Sequence, residues 1–134
     1  MKKIIFLTTL SFFLFIACND ISYKLEGMWQ LKTTTDDSGQ ITSIDSIYYS
    51  FQKGEYFGYT LRINDKYSVK HFGYTHFPSD NQVIIEIEES FRENFLLNSD
   101  WNSYIESFEI KEVTSNRLVL FSERRQKMYT FRKF

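Results

Sequence analysis

Ile47-Tyr48-Tyr49-Ser50-Phe51-Gln52-Lys53-Gly54-Glu55-Tyr56-Phe57-Gly58-Tyr59-Thr60-Leu61-Arg62-Ile63 is the stretch whose reading decides the fold class. Its odd-numbered positions carry Ile47, Tyr49, Phe51, Phe57, Tyr59, Leu61 and Ile63. An apolar residue at every second position is the period of a half-buried β-strand. Lys53-Gly54 interrupts the two runs with a turn signal, so the stretch reads as a hairpin. Aromatic side chains favour pleated surfaces, and the chain has nine Tyr and 14 Phe among 134 residues.

Working outward, the same alternation recurs. Trp29 and Leu31, Tyr67 and Val69, and Val83, Ile85 and Ile87 form apolar faces; so do Phe108 and Ile110, Leu118 and Leu120, and Tyr129 and Phe131. Turn signals at Asp36–Gly39, Asn64-Asp65, Pro78–Asn81, Thr114–Asn116 and Glu123–Arg125 separate them. Eight strands are expected, near 28–35, 42–52, 55–63, 66–77, 82–89, 105–113, 117–122 and 126–133. An all-β, eight-stranded antiparallel up-and-down barrel follows, because closing the sheet removes its unpaired edges. Ser90-Phe91-Arg92-Glu93 has capping-box spacing, and Phe91, Phe95 and Leu96 recur at helical intervals. A short helix over 90–97 is therefore expected between the fifth and sixth strands. Simple up-and-down order puts it on the same rim as 36–40, 64–65 and 123–125.

The N-terminus carries a different signal. Met1-Lys2-Lys3 is positive, and Ile4 to Ala17 is an apolar run of 14 residues, shorter than the roughly 20 a membrane span needs. Residues 1–17 read as a signal peptide. Phe15-Ile16-Ala17-Cys18 resembles the lipobox of bacterial lipoproteins, with Phe15 where Leu is usual. The resemblance implies lipidation at Cys18, the single cysteine of the chain, and residues 18–26 then form a short tether. A membrane partner through that lipid anchor and a place in the cell envelope are implied. Asn19 after the cysteine resembles outer-membrane sorting, without indicating which face.

Removal of 1–17 takes away Lys2 and Lys3, leaving 117 residues with 14 basic and 17 acidic side chains, a net charge of −3. That is one domain, 27–134, with no electrostatic footprint for nucleic acid. No nucleophile, base and orienting acid stand at suggestive spacing, and there is no glycine-rich phosphate loop. The domain is read as non-catalytic, without cofactor or metal. His71 shares the parity of Tyr67 and Val69 and points inward, whereas His76 points outward, so the two are poor partners for one metal ion.

Gly27-Met28-Trp29, preceded by Tyr23-Lys24-Leu25-Glu26, resembles the Gly-x-Trp opening of lipocalins and of lipocalin-like bacterial lipoproteins. The resemblance implies that Trp29 plugs the closed end of the barrel and that a basic residue of the last strand packs across it. Arg132 is the position given that role. The disulfide of secreted lipocalins is absent here, as is the helix pair of fatty-acid-binding proteins, so the nearer likeness is to the short lipoprotein domains.

Two readings of function stand open. In one, a small, largely apolar or amphiphilic ligand sits in or at the mouth of the barrel, with Tyr49, Tyr59, Tyr67 and His71 as orienting groups. Trp101, Tyr104 and the 90–97 helix then act as a lid, and Arg124 or Arg125 meets an anionic head group. In the other, the interior is filled by its own aromatics, and the domain is an interaction module or accessory subunit for an envelope protein. Val119 and Phe121, apolar on the outward face of strand 117–122, motivate the second.

Overall fold

The alternation over 47–63 does build a hairpin. In the computed structural model, which describes residues 20–134, Ile47–Gln52 (β3) pairs antiparallel with Tyr56–Arg62 (β4), Tyr49 opposite Tyr59 and Phe51 opposite Phe57. The signal sequence 1–17 and Cys18 lie outside the described residues.

A short helix, α1 (Asp20–Leu25), precedes β1 (Gly27–Thr35) and β2 (Ile41–Ser43). After the hairpin come β5 (Ser68–Ser79) and β6 (Gln82–Ile87), then a 3-10 turn (Glu89–Phe91) that runs into α2 (Arg92–Asn98). β7 (Ile105–Val113), β8 (Arg117–Ser122) and β9 (Lys127–Lys133) complete the chain. Neighbouring strands pair antiparallel in chain order, and β9 returns to β1 with Leu31 opposite Phe131. β2 and β3 pair with opposite ends of β1 and occupy one position in the wall, so the closed barrel has eight staves. The expected single strand 42–52 is thus broken at 44–46, where the Gln30 side chain donates to the Asp45 carbonyl.

The inward parity is the one the alternation predicts. Trp29, Leu31, Tyr49, Phe51, Phe57, Tyr59, Val83, Ile85, Ile87, Phe108, Leu118, Leu120, Tyr129 and Phe131 form the buried core. Ile47, Leu61 and Val69 are half-buried, and two predicted members lie outside altogether: β4 ends at Arg62 and β5 begins at Ser68, leaving Ile63 and Tyr67 exposed on the rim, Tyr67 at 67%. β5 also lies unusually close to β6. A Cβ on Gly73 would stand 2.1 Å from the Glu86 carbonyl oxygen, so this crossing requires glycine.

The segment expected as a tether is helical from Asp20 to Leu25 and docked, with Ile21 and Leu25 buried in the core cluster. Four-residue spacing puts both on one helix face. One end of the barrel, the base, therefore carries α1, the β3–β4 turn and the chain terminus. The other, the upper end, carries α2 and the turns at 36–40, 63–67 and 123–126.

Candidate ligand-binding site

Each end of the barrel is closed by a tryptophan, a helix and a cation. At the base Trp29 is fully buried and its indole N–H donates to the Leu25 carbonyl at 2.9 Å, tying β1 to α1. The cation over the indole is Lys133, whose Nζ lies 4.4 Å from the ring centroid and donates to the Glu26 carbonyl at 2.5 Å. Lys133 takes the place expected for Arg132. The register sets Lys133 opposite Trp29 and Arg132 opposite Gln30 and Arg117, so Arg132 faces outward and is exposed. The parity of Tyr129 and Phe131 carried this answer, since Lys133 continues it. Gly27, at φ 121°, makes room: a Cβ there would meet Lys133 Nζ at 2.5 Å.

At the upper end α2 lays Phe95 on the core, and Trp101 follows beneath it with ring centroids 4.8 Å apart. The Trp101 N–H donates to the Tyr49 hydroxyl at 2.9 Å, and the Tyr59 hydroxyl donates to the Asn98 carbonyl at 3.1 Å. Arg125 reaches inward from the β8–β9 turn. Its Nε meets Glu106 at 3.0 Å, with side chains only 7% and 2% exposed, and its Nη1 lies 3.3 Å from Asp100. Nη1 also donates to the Tyr129 hydroxyl, which in turn donates to Asp100 at 2.5 Å, while Lys127 bonds the same carboxylate at 2.8 Å.

These contacts set the local charge states. Burial pushes the Tyr49, Tyr59 and Tyr129 phenols up, so all three remain neutral hydrogen-bonding groups. For Asp100 burial acts upward, but hydrogen bonds from Lys127 and Tyr129 and the Arg125 charge outweigh it and hold the carboxyl below the usual range. His71 is buried against Tyr59, Phe91 and Phe95, and burial lowers its pKa.

Of the residues singled out in the sequence, Tyr49, Tyr59, His71, Trp101 and Arg125 do meet in the upper interior. They meet as packing rather than as a vacant pocket: Tyr49 has Phe131 at 4.7 Å, Phe57 at 5.3 Å and Tyr59 at 5.7 Å between ring centroids. Tyr67 and Arg124 are exposed and stand apart from them, and Arg124 lines a polar surface depression with Glu123 and Glu109. Asp100 and Glu106 were missed. Glu106 shares parity with Phe108 and Ile110, and a lone acid on an apolar face is the signal of a buried ion pair.

Besides that surface depression of about 540 Å³, a second open space lies at the base. A cleft of about 500 Å³ runs between α1, the β3–β4 turn and the overhanging end of β5. Ile21, Phe51, Thr75 and Phe77 supply its lining from the core side, and Glu26, Lys53 and Glu55 supply charges. An apolar floor thus meets a polar and charged rim, with Ser22 and Gln52 beside Glu26, Lys53 and Glu55, a lining that suits an amphiphile better than a purely apolar molecule. Among the described residues, no cluster of three or more His, Cys, Asp or Glu is placed to hold a metal ion.

Comparison with known proteins agrees with this architecture. The family model for the lipocalin-like domain matches residues 13–134. A crystal structure of a lipocalin-like protein from Bacteroides uniformis superposes with a TM-score of 0.73 at 24% identity, covering 83% of this chain and 99% of that one. An uncharacterized protein from Bacteroides eggerthii gives a TM-score of 0.66 at 24% identity, covering 82% and 99%. No curated protein matches. The chain belongs to the lipocalin-like domain family, whose barrel is a ligand-binding fold.

Proposed function

We propose that this protein is a lipid-anchored, non-catalytic binding protein that holds a small amphiphile in the base cleft. The observation that carries the reading is the cleft itself: about 500 Å³, apolar where it meets the core, and charged at Glu26, Lys53 and Glu55. With aromatic rings occupying the upper interior, a ligand of acyl-chain size fits at the base and not at the upper mouth. Lys53 offers an anionic head group a cation, in the role first given to Arg124 and Arg125.

Lipidation at Cys18 gives the site its setting. One residue, Asn19, separates Cys18 from Asp20, the first residue of α1, which borders the cleft, so an anchored barrel would hold its base beside the bilayer. Ligand would then be met in or on the membrane, in the cell envelope and, by the Asn19 resemblance, at the outer membrane. Native mass spectrometry of protein taken from its own host, compared with Thr75→Trp, tests the binding reading. Thr75 is buried in the cleft wall, so the indole should abolish retention of a small molecule. A wild-type protein that carries nothing and binds no lysophospholipid contradicts it. Cys18→Ala should release the protein from the membrane fraction.

One observation favours the second reading, an envelope interaction module. Tyr56 and Tyr74 pair across β4 and β5 with ring centroids 6.2 Å apart, and Phe72 lies beside them over Gly58, all three about half exposed. An outward aromatic patch of this kind suits a protein surface. Loss of co-purifying envelope protein in a Tyr56→Ser/Phe72→Ser/Tyr74→Ser variant, with ligand retention intact, would favour this reading.

A further inference from the structure

His71 is only 1% exposed, and no protein group stands within hydrogen-bond reach of either ring nitrogen. A neutral imidazole carries one donor and one acceptor, and buried polar groups are normally paired, so this unpaired state is unusual. The ring is enclosed by Tyr59 of β4 at 5.9 Å, Phe91 of the 3-10 turn at 6.2 Å and Phe95 of α2 at 5.7 Å between centroids. Two of the three walls thus belong to one short segment, 89–98. That segment is held lightly: Phe95 is the buried residue of α2, and Glu93, Asn94, Leu96 and Leu97 are exposed. Its polar fastenings are Tyr59 to the Asn98 carbonyl and Arg92 to the Ile87 carbonyl and Glu86, and its apolar ones are Phe91 on Phe72 at 5.5 Å and Phe95 on Trp101 at 4.8 Å between centroids.

We propose that residues 89–98 form a proton-released lid over the upper end of the barrel, with His71 as the trigger. An imidazolium has two N–H donors and a charge, and the closed chamber offers neither acceptor nor counter-ion. The groups facing His71 make this plain. β4 presents the Tyr59 phenol, which burial keeps neutral, and the neighbouring inward positions of β5 are Val69 and Gly73. The 3-10 turn and α2 present Phe91 and Phe95. The nearby charged residues of the segment are otherwise engaged or exposed: Glu88 accepts from Ser90, Arg92 pairs with Glu86 and lies 3.9 Å over Tyr104, and Glu89 and Glu93 are exposed. Protonation therefore favours a state in which Phe91 and Phe95 lift away and water reaches the ring.

The sign follows from linkage. Burial holds His71 below its ordinary value in the closed form, whereas in an open form it titrates near 6.5. The open form binds more protons, so the closed form loses ground as pH falls through about 6.5, by up to about tenfold per pH unit for one proton. This inference concerns the upper end and stands apart from ligand binding at the base.

Hydrogen exchange read by mass spectrometry between pH 7.5 and 5.0, corrected for intrinsic exchange, tests it. Peptides covering 89–98 should gain exchange by up to about tenfold per pH unit below 6.5, while β3 and β4 peptides stay protected. His71→Phe, or His71→Gln should the first fail to fold, should remove that dependence, and the exposed His76→Gln should keep it. The proposal is overturned if wild-type lid exchange is flat with pH, if both His71 variants respond as wild type does, or if β3 and β4 open together with the lid.

Discussion

The base and the upper end of this barrel solve the same problem with the same three parts, and differ in what holds them. At the base, Trp29 and Lys133 bond to the Leu25 and Glu26 carbonyls, so a charged partner is not required. At the upper end, Trp101 is closed over by Arg125, whose ion pair with Glu106 is formed out of water and whose pair with Asp100 is partly exposed. A plug built on backbone carbonyls needs no ionised carboxylate or imidazole, so it is insensitive to pH over the acid and neutral range. One built on buried charge depends on every partner being present and ionised.

That contrast predicts its largest effect at Arg125. Arg125→Met leaves Glu106 buried without its cation and should cost about 3–5 kcal/mol in urea unfolding at pH 7. Adding Glu106→Leu should recover much of the loss, since removing both charges removes the desolvation penalty with the attraction. A double variant no better than the single would mean that the guanidinium matters mainly through its packing on Trp101, Phe108 and Tyr129.

At the base the matching test is apolar. Leu25→Ala should cost about 2–4 kcal/mol, as for a fully buried leucine, and the loss should be nearly independent of pH from 5 to 8. An Ala variant with unchanged stability would show α1 to be an ornament rather than a plug. Smaller still is the cation over Trp29: Lys133→Met should cost about 1–2 kcal/mol, while Arg132→Met, on the outer face, should stay within about 0.5 kcal/mol in the same unfolding series. The reverse ranking would restore Arg132 to the role first expected of it.

Acid should separate the two ends most gently. Asp100 is held below its ordinary value in the folded protein, so it adds stability above the unfolded value of 3.8, which is lost as pH falls through the folded one. Asp100→Asn should therefore lower stability at pH 7, by less than the Arg125 variant does, and flatten the acid limb of the profile below about pH 4, seen by thermal unfolding.

The strands were legible because Trp29, Tyr49, Tyr59, Phe108 and Phe131 obey one period over most of the chain, and closure follows from the edges they would otherwise leave. Much of the site was not. Lys133 and Arg132 are adjacent, and only the register opposite Trp29 separates them. Ile21 and Leu25 sit in a six-residue helix too short for periodicity to stand out, and its docking depends on a barrel that must form first. Glu106 and Asp100 come from different loops and strands and meet Arg125 only in the closed structure. The base cleft is a gap between three elements, which no local pattern records. Cys18 and the residues before it carry the lipoprotein reading entirely by motif.

The most direct test of the account is a ¹⁵N-edited NMR titration of the folded domain with lysophospholipid below its micelle concentration. Site-specific shifts at Ile21, Lys53 to Glu55 and Thr75 to Phe77, with the amides of 91–101 unmoved at pH 7.5, are the predicted result. Shifts confined to 91–101, or none at saturating ligand, would contradict it.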